Sequence, residues 1–259
     1  MAHRARKRFG QNFLHDPGII GRIVQAIDPR PGQRMVEIGP GLGALTRHLL
    51  PALERLDVVE LDRDLIPLLQ EACGALGELQ VHNVDALKFD FCSLGAPLRV
   101  VGNLPYNIST PLLFHLLEQR ACVADMHFML QKEVVDRLAA RPGEPAYGRL
   151  GIMVQYHCAV ERLFTVGPGA FHPAPKVDSA VVRLTPHAVP PVRVQDPQAL
   201  QQVVRQAFSQ RRKTLRNALK GLLDAADLEA AAIPPGERPE RIGLEGYARL
   251  ADRLSGRRA

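Results

Sequence analysis

The chain has 259 residues, of which 46% are hydrophobic and 23% charged, with 21 Gly and 21 Pro. That balance excludes a disordered or fibrous protein and leaves ample length for a buried core. Its 33 Lys and Arg outweigh 27 Asp and Glu for a formal charge of +6, and no stretch approaches the roughly 18 unbroken apolar residues of a membrane span.

The basic start (Arg4, Arg6, Lys7, Arg8) has no apolar run behind it, so no secretory signal is expected, and its lack of serine weakens a transit-peptide reading. Asp16-Pro17 reads as a helix cap and first-turn proline, with Ile19, Ile20, Ile23, Val24 and Ile27 at helical spacing behind it. Short β-rich runs follow at 34–38, 57–60, 79–82, 98–101 and 126–130, separated by helical stretches. One helix covers 45–53. Another is expected to be capped at Thr110-Pro111, with Leu112, Leu113, Leu116 and Leu117 inward. This alternation predicts a mainly parallel, doubly wound α/β sheet. Runs at 151–160 and 180–184 read as strands that finish it antiparallel. Prolines 186, 190, 191 and 197 mark a linker, beyond which only helical patterns occur: one from Asp196-Pro197 to Phe208, one over 215–223, one through Leu244 and Leu250. The expected division is an α/β domain at 1–185 and a helical domain at 186–259. Cys73, Cys92, Cys122 and Cys158 form no CxxC pair, so neither a zinc site nor a disulfide is expected, and a soluble protein of a reduced compartment, the cytoplasm, is.

Positive charge is concentrated. Residues 1–15 and 201–220 contain no acid yet hold ten of the 33 basic side chains, among them Lys7, Arg8, Arg211, Arg212, Lys213 and Arg216. Two such runs flanking a nucleotide-type domain point to nucleic acid, without separating RNA from DNA.

The first strand runs into a loop of pattern E-x-G-x-G-x-G, from Glu37 through Gly39 and Gly41 to Gly43. Glycines there let a ligand approach the backbone at a helix N-terminus. The dinucleotide fingerprint started at Gly41 meets Thr46 at its sixth position and fails. What remains is the spacing of S-adenosylmethionine (SAM) enzymes. Glu60, closing the second strand, is placed to accept ribose hydroxyls, and Asp85, after the third, to meet the adenine amino group. Strand four ends in Asn103-Leu104-Pro105-Tyr106. Alone, these four also fit a β-turn with a packed tyrosine. At that strand end they suit methylation of an exocyclic adenine amine, whose lone pair is delocalised into the ring. The Asn103 side-chain oxygen and Leu104 carbonyl would take both N–H groups and aim the nitrogen lone pair at the methyl. Pro105 would fix the turn and Tyr106 offer a stacking face.

Residues 7–14 (Lys-Arg-Phe-Gly-Gln-Asn-Phe-Leu), 37–43, 102–110 (Gly-Asn-Leu-Pro-Tyr-Asn-Ile-Ser-Thr), 171–179 (Phe-His-Pro-Ala-Pro-Lys-Val-Asp-Ser) and 211–217 (Arg-Arg-Lys-Thr-Leu-Arg-Asn) together resemble the ribosomal RNA adenine dimethyltransferases. The resemblance implies a Rossmann-like SAM-dependent methyltransferase fold with a mostly parallel seven-stranded sheet and a small all-helical C-terminal domain for RNA. It is strongest to the branch that dimethylates two adjacent adenines in the 3′-terminal hairpin of 16S rRNA, within a 30S subunit or its precursor, with four SAM consumed and a role in 30S biogenesis. It further implies that Gln11, Asn12 and Leu14 close over the methionine end of SAM, and that Phe171 walls a flipped adenine opposite Tyr106. Prolines 173 and 175 suggest that Phe171 lies on an exposed, rigid loop. No metal or membrane contact is expected, and the chain is expected to be a monomer. Two alternatives stand beside this: a 23S rRNA methyltransferase of the macrolide-resistance type, and a largely non-catalytic RNA-binding assembly factor.

Overall fold

In the computed structural model, residues 11–210 and 213–257 are described. The chain forms two compact units, Met1–Val135 with Val160–Pro186, and Asp136–Ala159 with His187–Ala259. The expected break after 185 lies one residue from the observed one, but the second unit also takes 136–159.

The first unit is built on a sheet of seven strands in the order β4-β3-β2-β5-β6-β9-β7: β2 (Arg34–Ile38), β3 (Arg55–Val59), β4 (Glu78–His82), β5 (Leu98–Asn103), β6 (Val123–Gln131), β7 (Cys158–Val166) and β9 (Ser179–Pro186). Pairs β2–β3, β3–β4, β2–β5 and β5–β6 are parallel and β6–β9 is antiparallel. The last four residues of β2 and all of β5 but Arg99 and Asn103 are buried. Strands covered on both faces are largely apolar, with Glu37 the exception in β2, which is why these runs stand out in the sequence. The chain winds outward from β2 through β3 to β4, then crosses back to β5 beside β2. The ends of β2 and β5 therefore flank the switch point, where open α/β sheets bind ligands.

Helix α1 (Pro17–Ile27) starts as expected, with Asp16 Oδ1 accepting from the Ile19 N–H at 2.9 Å, and buries Ile20, Ile23 and Ile27. Its last carbonyls are held by the β5 and β9 arginines: Arg99 Nη2 donates to Ile27 O at 2.6 Å and Arg183 Nη2 to Ala26 O at 3.0 Å. Such partners satisfy groups that a helix end leaves open. Helix α2 (Thr46–Leu53) follows the glycine loop and α3 (Ile66–Cys73) follows β3. Helix α4 (Ser109–Glu118) buries the four expected leucines, but it begins at Ser109 with Ile108 in the cap position and no side-chain cap bond, not at Thr110-Pro111. A two-stranded antiparallel ladder joins β1 (Phe13–Leu14) to β8 (Phe171–His172).

Three expectations are corrected. Helix α5 (Lys132–Ala139) is followed by α6 (Arg149–His157), so most of the strand expected over 151–160 is helix, and β7 begins only at Cys158. The continuous apolar run carries no period-2 alternation to separate helix from strand. Gly151 fits α6 closely against the end of α5, since a Cβ there would lie 2.3 Å from Arg137 O. Second, Cys92 and Cys122 are disulfide-bonded, while Cys73 and Cys158 are free and buried. Their 30-residue separation conceals that each lies just ahead of one of two adjacent parallel strands, β5 and β6, whose starts the sheet brings together. Third, the helix expected over 215–223 is one turn, α8 (Leu215–Ala218); Gly221, at φ +87, lies between it and α9 (Ala225–Ala230).

The second unit otherwise packs α7 (Pro197–Ala207) and α10 (Leu244–Gly256) around Leu200, Val203, Val204, Tyr247 and Leu250. Two of its buried tyrosine hydroxyls donate to backbone carbonyls, Tyr147 to Ile242 O at 3.0 Å and Tyr247 to Pro239 O at 2.8 Å. Among the described residues, no helix is long and apolar enough to cross a membrane.

Candidate active site

A cleft of about 1030 Å³ opens at the switch point. Its walls come from the segment around β1, the loop between β2 and α2, the residues after β3 and β4, and the end of β5. Of the expected site residues it brings together Asn12, Leu14, Gly39, Gly41, Glu60, Asp85, Asn103 and Pro105, with Gln11 beside them.

The glycine loop has the backbone that its sequence requires. Gly41 has φ +59, and a Cβ there would press on the Phe13 ring at 3.1 Å. The loop thus stays low enough for the 11–14 segment to lie across it. Beyond β3, the nearly buried Glu60 carboxylate is fixed by two backbone N–H donors, Asp62 to Oε1 at 2.8 Å and Gly41 to Oε2 at 3.3 Å. Burial raises its pKa above the usual carboxylate value, with these donors opposing the shift. An ionised carboxylate has about four acceptor positions, so capacity for further hydroxyl donors remains. Asp85 is half-buried, with Oδ1 accepting from the Leu87 N–H at 3.0 Å.

At the end of β5, Asn103 Nδ2 donates to Asn12 O at 3.0 Å. One bond both orients the amide and ties the 11–14 segment to the sheet; Gln11 Nε2, donating to Asp62 Oδ2 at 3.0 Å, ties it to the loop after β3. With the nitrogen so engaged, Oδ1 is left as the acceptor of this cleft-lining side chain. Leu104 is buried and its N–H donates to Met129 O at 3.1 Å. Neither Asn103 Oδ1 nor Leu104 O receives a hydrogen bond among the described residues. Tyr106 is half-buried and not itself part of the cleft wall, although Pro105 and Asn107 on either side of it are.

Phe171 differs from expectation. It is 3% exposed and packed in the core cluster with Leu14, Met129 and Val181. The β1–β8 ladder sets Leu14 opposite Phe171 and Phe13 opposite His172, and alternation along the strand turns the phenylalanine inward. His172 is exposed and lines the cleft in its place. Lys213 and Arg216 are exposed on the second unit; Lys7, Arg8, Arg211 and Arg212 lie outside the described residues.

Glu37 and the apolar rim of the cleft carry no role in the sequence pattern. Leu42, Leu61 and Val84 are exposed apolar side chains at the cleft, suited to the faces of a planar base; the latter two adjoin Glu60 and Asp85, and that adjacency was the available signal. Glu37 is 2% exposed on the cleft wall, its Oε2 accepting from Thr46 Oγ1 at 2.6 Å. Burial pushes its pKa up to about 7; the threonine bond opposes this and the Glu60 charge adds to it. Because the folded-state value is raised, this group's stabilising contribution is full below the unfolded value of 4.5 and is lost as pH rises through about 7. Glu37→Gln keeps the threonine bond without the charge. Denaturant titrations from pH 5 to 8 are expected to show the variant gaining on the parent as pH rises, levelling at about 3 kcal/mol. Parallel pH profiles would contradict the assignment.

The sequence profile described as ribosomal RNA adenine dimethylase matches residues 2–253. The protein from Pseudomonas aeruginosa named ribosomal RNA small subunit methyltransferase A is 64% identical over 256 residues, covering 98% of this chain and 96% of its own length. Its namesake in Marinomonas sp. is 62% identical over 253 residues, covering 96% and 95%. Among solved structures, a dimethyladenosine transferase from Plasmodium falciparum superposes with a TM-score of 0.77 at 27% identity, covering 92% of this chain and 95% of that one. The 23S rRNA methyltransferase ErmE superposes at 0.75, also at 27% identity, covering 94% and 100%. The profile match and these full-length identities mean that the chain belongs to the ribosomal RNA adenine dimethylase family.

Proposed function

We propose that this methyltransferase dimethylates N6 of two adjacent adenines in the 3′-terminal hairpin of 16S rRNA, within a 30S subunit or its precursor, using four SAM. The observation that carries the chemistry is the Asn103 amide, anchored through its nitrogen to Asn12 so that its oxygen remains as an acceptor at the cleft. What favours the small subunit is similarity: 64% identity to a relative named for it, against 27% to the 23S enzyme.

The cleft's donors and acceptors fit SAM. Glu60 would hold the ribose hydroxyls, Asp85 the adenine amine, and Leu42, Leu61 and Val84 its faces, with Asn12 and Leu14 covering the methionine end. When bound, SAM supplies an electrophilic methyl group on a sulfonium. The protein's part is to orient the acceptor. Asn103 Oδ1 and Leu104 O take the two N–H groups of the target amine, which favours a pyramidal nitrogen with its lone pair directed outward. Position and preorganised dipoles do this without a strong base. Tyr106 provides a stacking face for the extruded base. To wall the base opposite Tyr106, Phe171 would have to leave its packing against Leu14 and Met129. Lys213 and Arg216, with Lys7, Arg8, Arg211 and Arg212, would contact RNA phosphates.

The test is transfer from labelled SAM to unmethylated 30S and 50S particles, followed by nucleoside mapping. Label in N6,N6-dimethyladenosine of 30S alone is expected. Label only in 50S would assign the chain to the 23S branch, and none in either would support a non-catalytic RNA-binding factor.

A further inference from the structure

Tyr106 is held at both ends. Its backbone sits in a turn in which Ile108 N–H donates to Pro105 O at 3.2 Å and Ser109 Oγ donates to Tyr106 O at 3.2 Å. At the far end of the ring, the phenol oxygen lies 2.6 Å from Ser179 Oγ. Ser179 is completely buried at the start of β9, where it pairs with Gln131 across the antiparallel ladder to β6. No other hydrogen bond to the Ser179 hydroxyl occurs among the described residues. A buried hydroxyl needs a partner, so this contact is costly to break from either side.

We propose that Ser179 is a positioning residue for adenine capture: it fixes where the Tyr106 ring lies by anchoring the phenol oxygen, so that the base stacks with its amine at Asn103 and Leu104. The inference rests on Tyr106 being the stacking face. A tyrosine swings about two torsions. A bond at its para position stops the swing about Cα–Cβ and covers neither face; rotation about the ring's long axis, on which the phenol oxygen lies, is left to neighbouring contacts. Burial holds the phenol pKa above its usual value, so the ring stays neutral at working pH. Affinity for RNA comes mainly from phosphate contacts elsewhere, so loss of the pin lowers the rate of transfer more than the affinity.

The experiment compares Ser179→Ala, Ser179→Thr, Tyr106→Phe and the Ser179→Ala/Tyr106→Phe double variant in kcat, KM for the 16S hairpin and SAM affinity. Stacking is read from quenching of 2-aminopurine placed at the target adenine. Ser179→Ala and Tyr106→Phe are each expected to lower kcat about 10-fold and reduce the quench, with SAM affinity unchanged. The double variant should be no worse than either single one, and Ser179→Thr should recover most of the loss. Multiplying effects, or an unchanged kcat in Ser179→Ala, would overturn the proposal. Tyrosine ring resonances of the free protein give a readout that needs no RNA: the Tyr106 signal should shift or broaden in Ser179→Ala and return in Ser179→Thr, and an unmoved signal would overturn the pin itself. Tyr106→Ala with undiminished quench and rate would instead remove the stacking role on which the inference stands.

Discussion

Replacing Asn103 by alanine is expected to lower kcat about a thousandfold, the loss typical of one preorganised polar group aimed at the reacting centre. Single-turnover transfer to 30S particles measures it. Asn103 also anchors Asn12 through Nδ2, so SAM affinity should fall too, but only severalfold, because Glu60, Asp85 and the glycine loop are untouched. Asn103→Asp separates the two tasks. It keeps an acceptor oxygen but loses the donor and sets a carboxylate against the Asn12 carbonyl, so SAM binding should weaken more than in the alanine variant. A near-normal rate in Asn103→Ala would mean that the amine is not held there.

Gly102→Ala is expected to have the largest effect on the fold around the site. Gly102 lies in β5, one residue before Asn103, and a Cβ added to it would stand 2.5 Å from Ile38 O on the neighbouring strand β2. That contact is with backbone, so relief requires the two central strands to separate where the cleft begins. An overpacking cost of about 2–3 kcal/mol follows, or a Tm lower by about 5–10 °C. Transfer at temperatures where the variant stays folded should also fall, since Asn103 and the glycine loop move apart. An unchanged Tm would show that the strands yield more easily than their packing suggests.

The legible parts of this protein share a physical cause. Central parallel strands are largely apolar on both faces, Glu37 apart, so 34–38 and 98–101 announce themselves as short runs, and the residues that close them, Gly39 and Asn103, fall at the switch point by topology alone. Phe171 was illegible because prolines speak for the loop after it, whereas the ladder between β1 and β8 decides which way its ring turns. The Cys92–Cys122 bond and the membership of 136–159 in the second unit are contacts between segments distant in sequence, which local pattern does not carry. Glu37 was visible only as the first letter of a glycine motif. Its raised pKa is a consequence of complete burial beside Thr46 and near Glu60, and burial is a property of the fold.

The most direct measurement is the position of the target N6 in a crystal of the protein with S-adenosylhomocysteine and the 16S hairpin. We predict the nucleotide extruded, its N6 about 3 Å from both Asn103 Oδ1 and Leu104 O, and the cofactor ribose on Glu60. A cofactor bound outside this cleft, or an Asn103 oxygen rotated into protein contacts, would contradict the account.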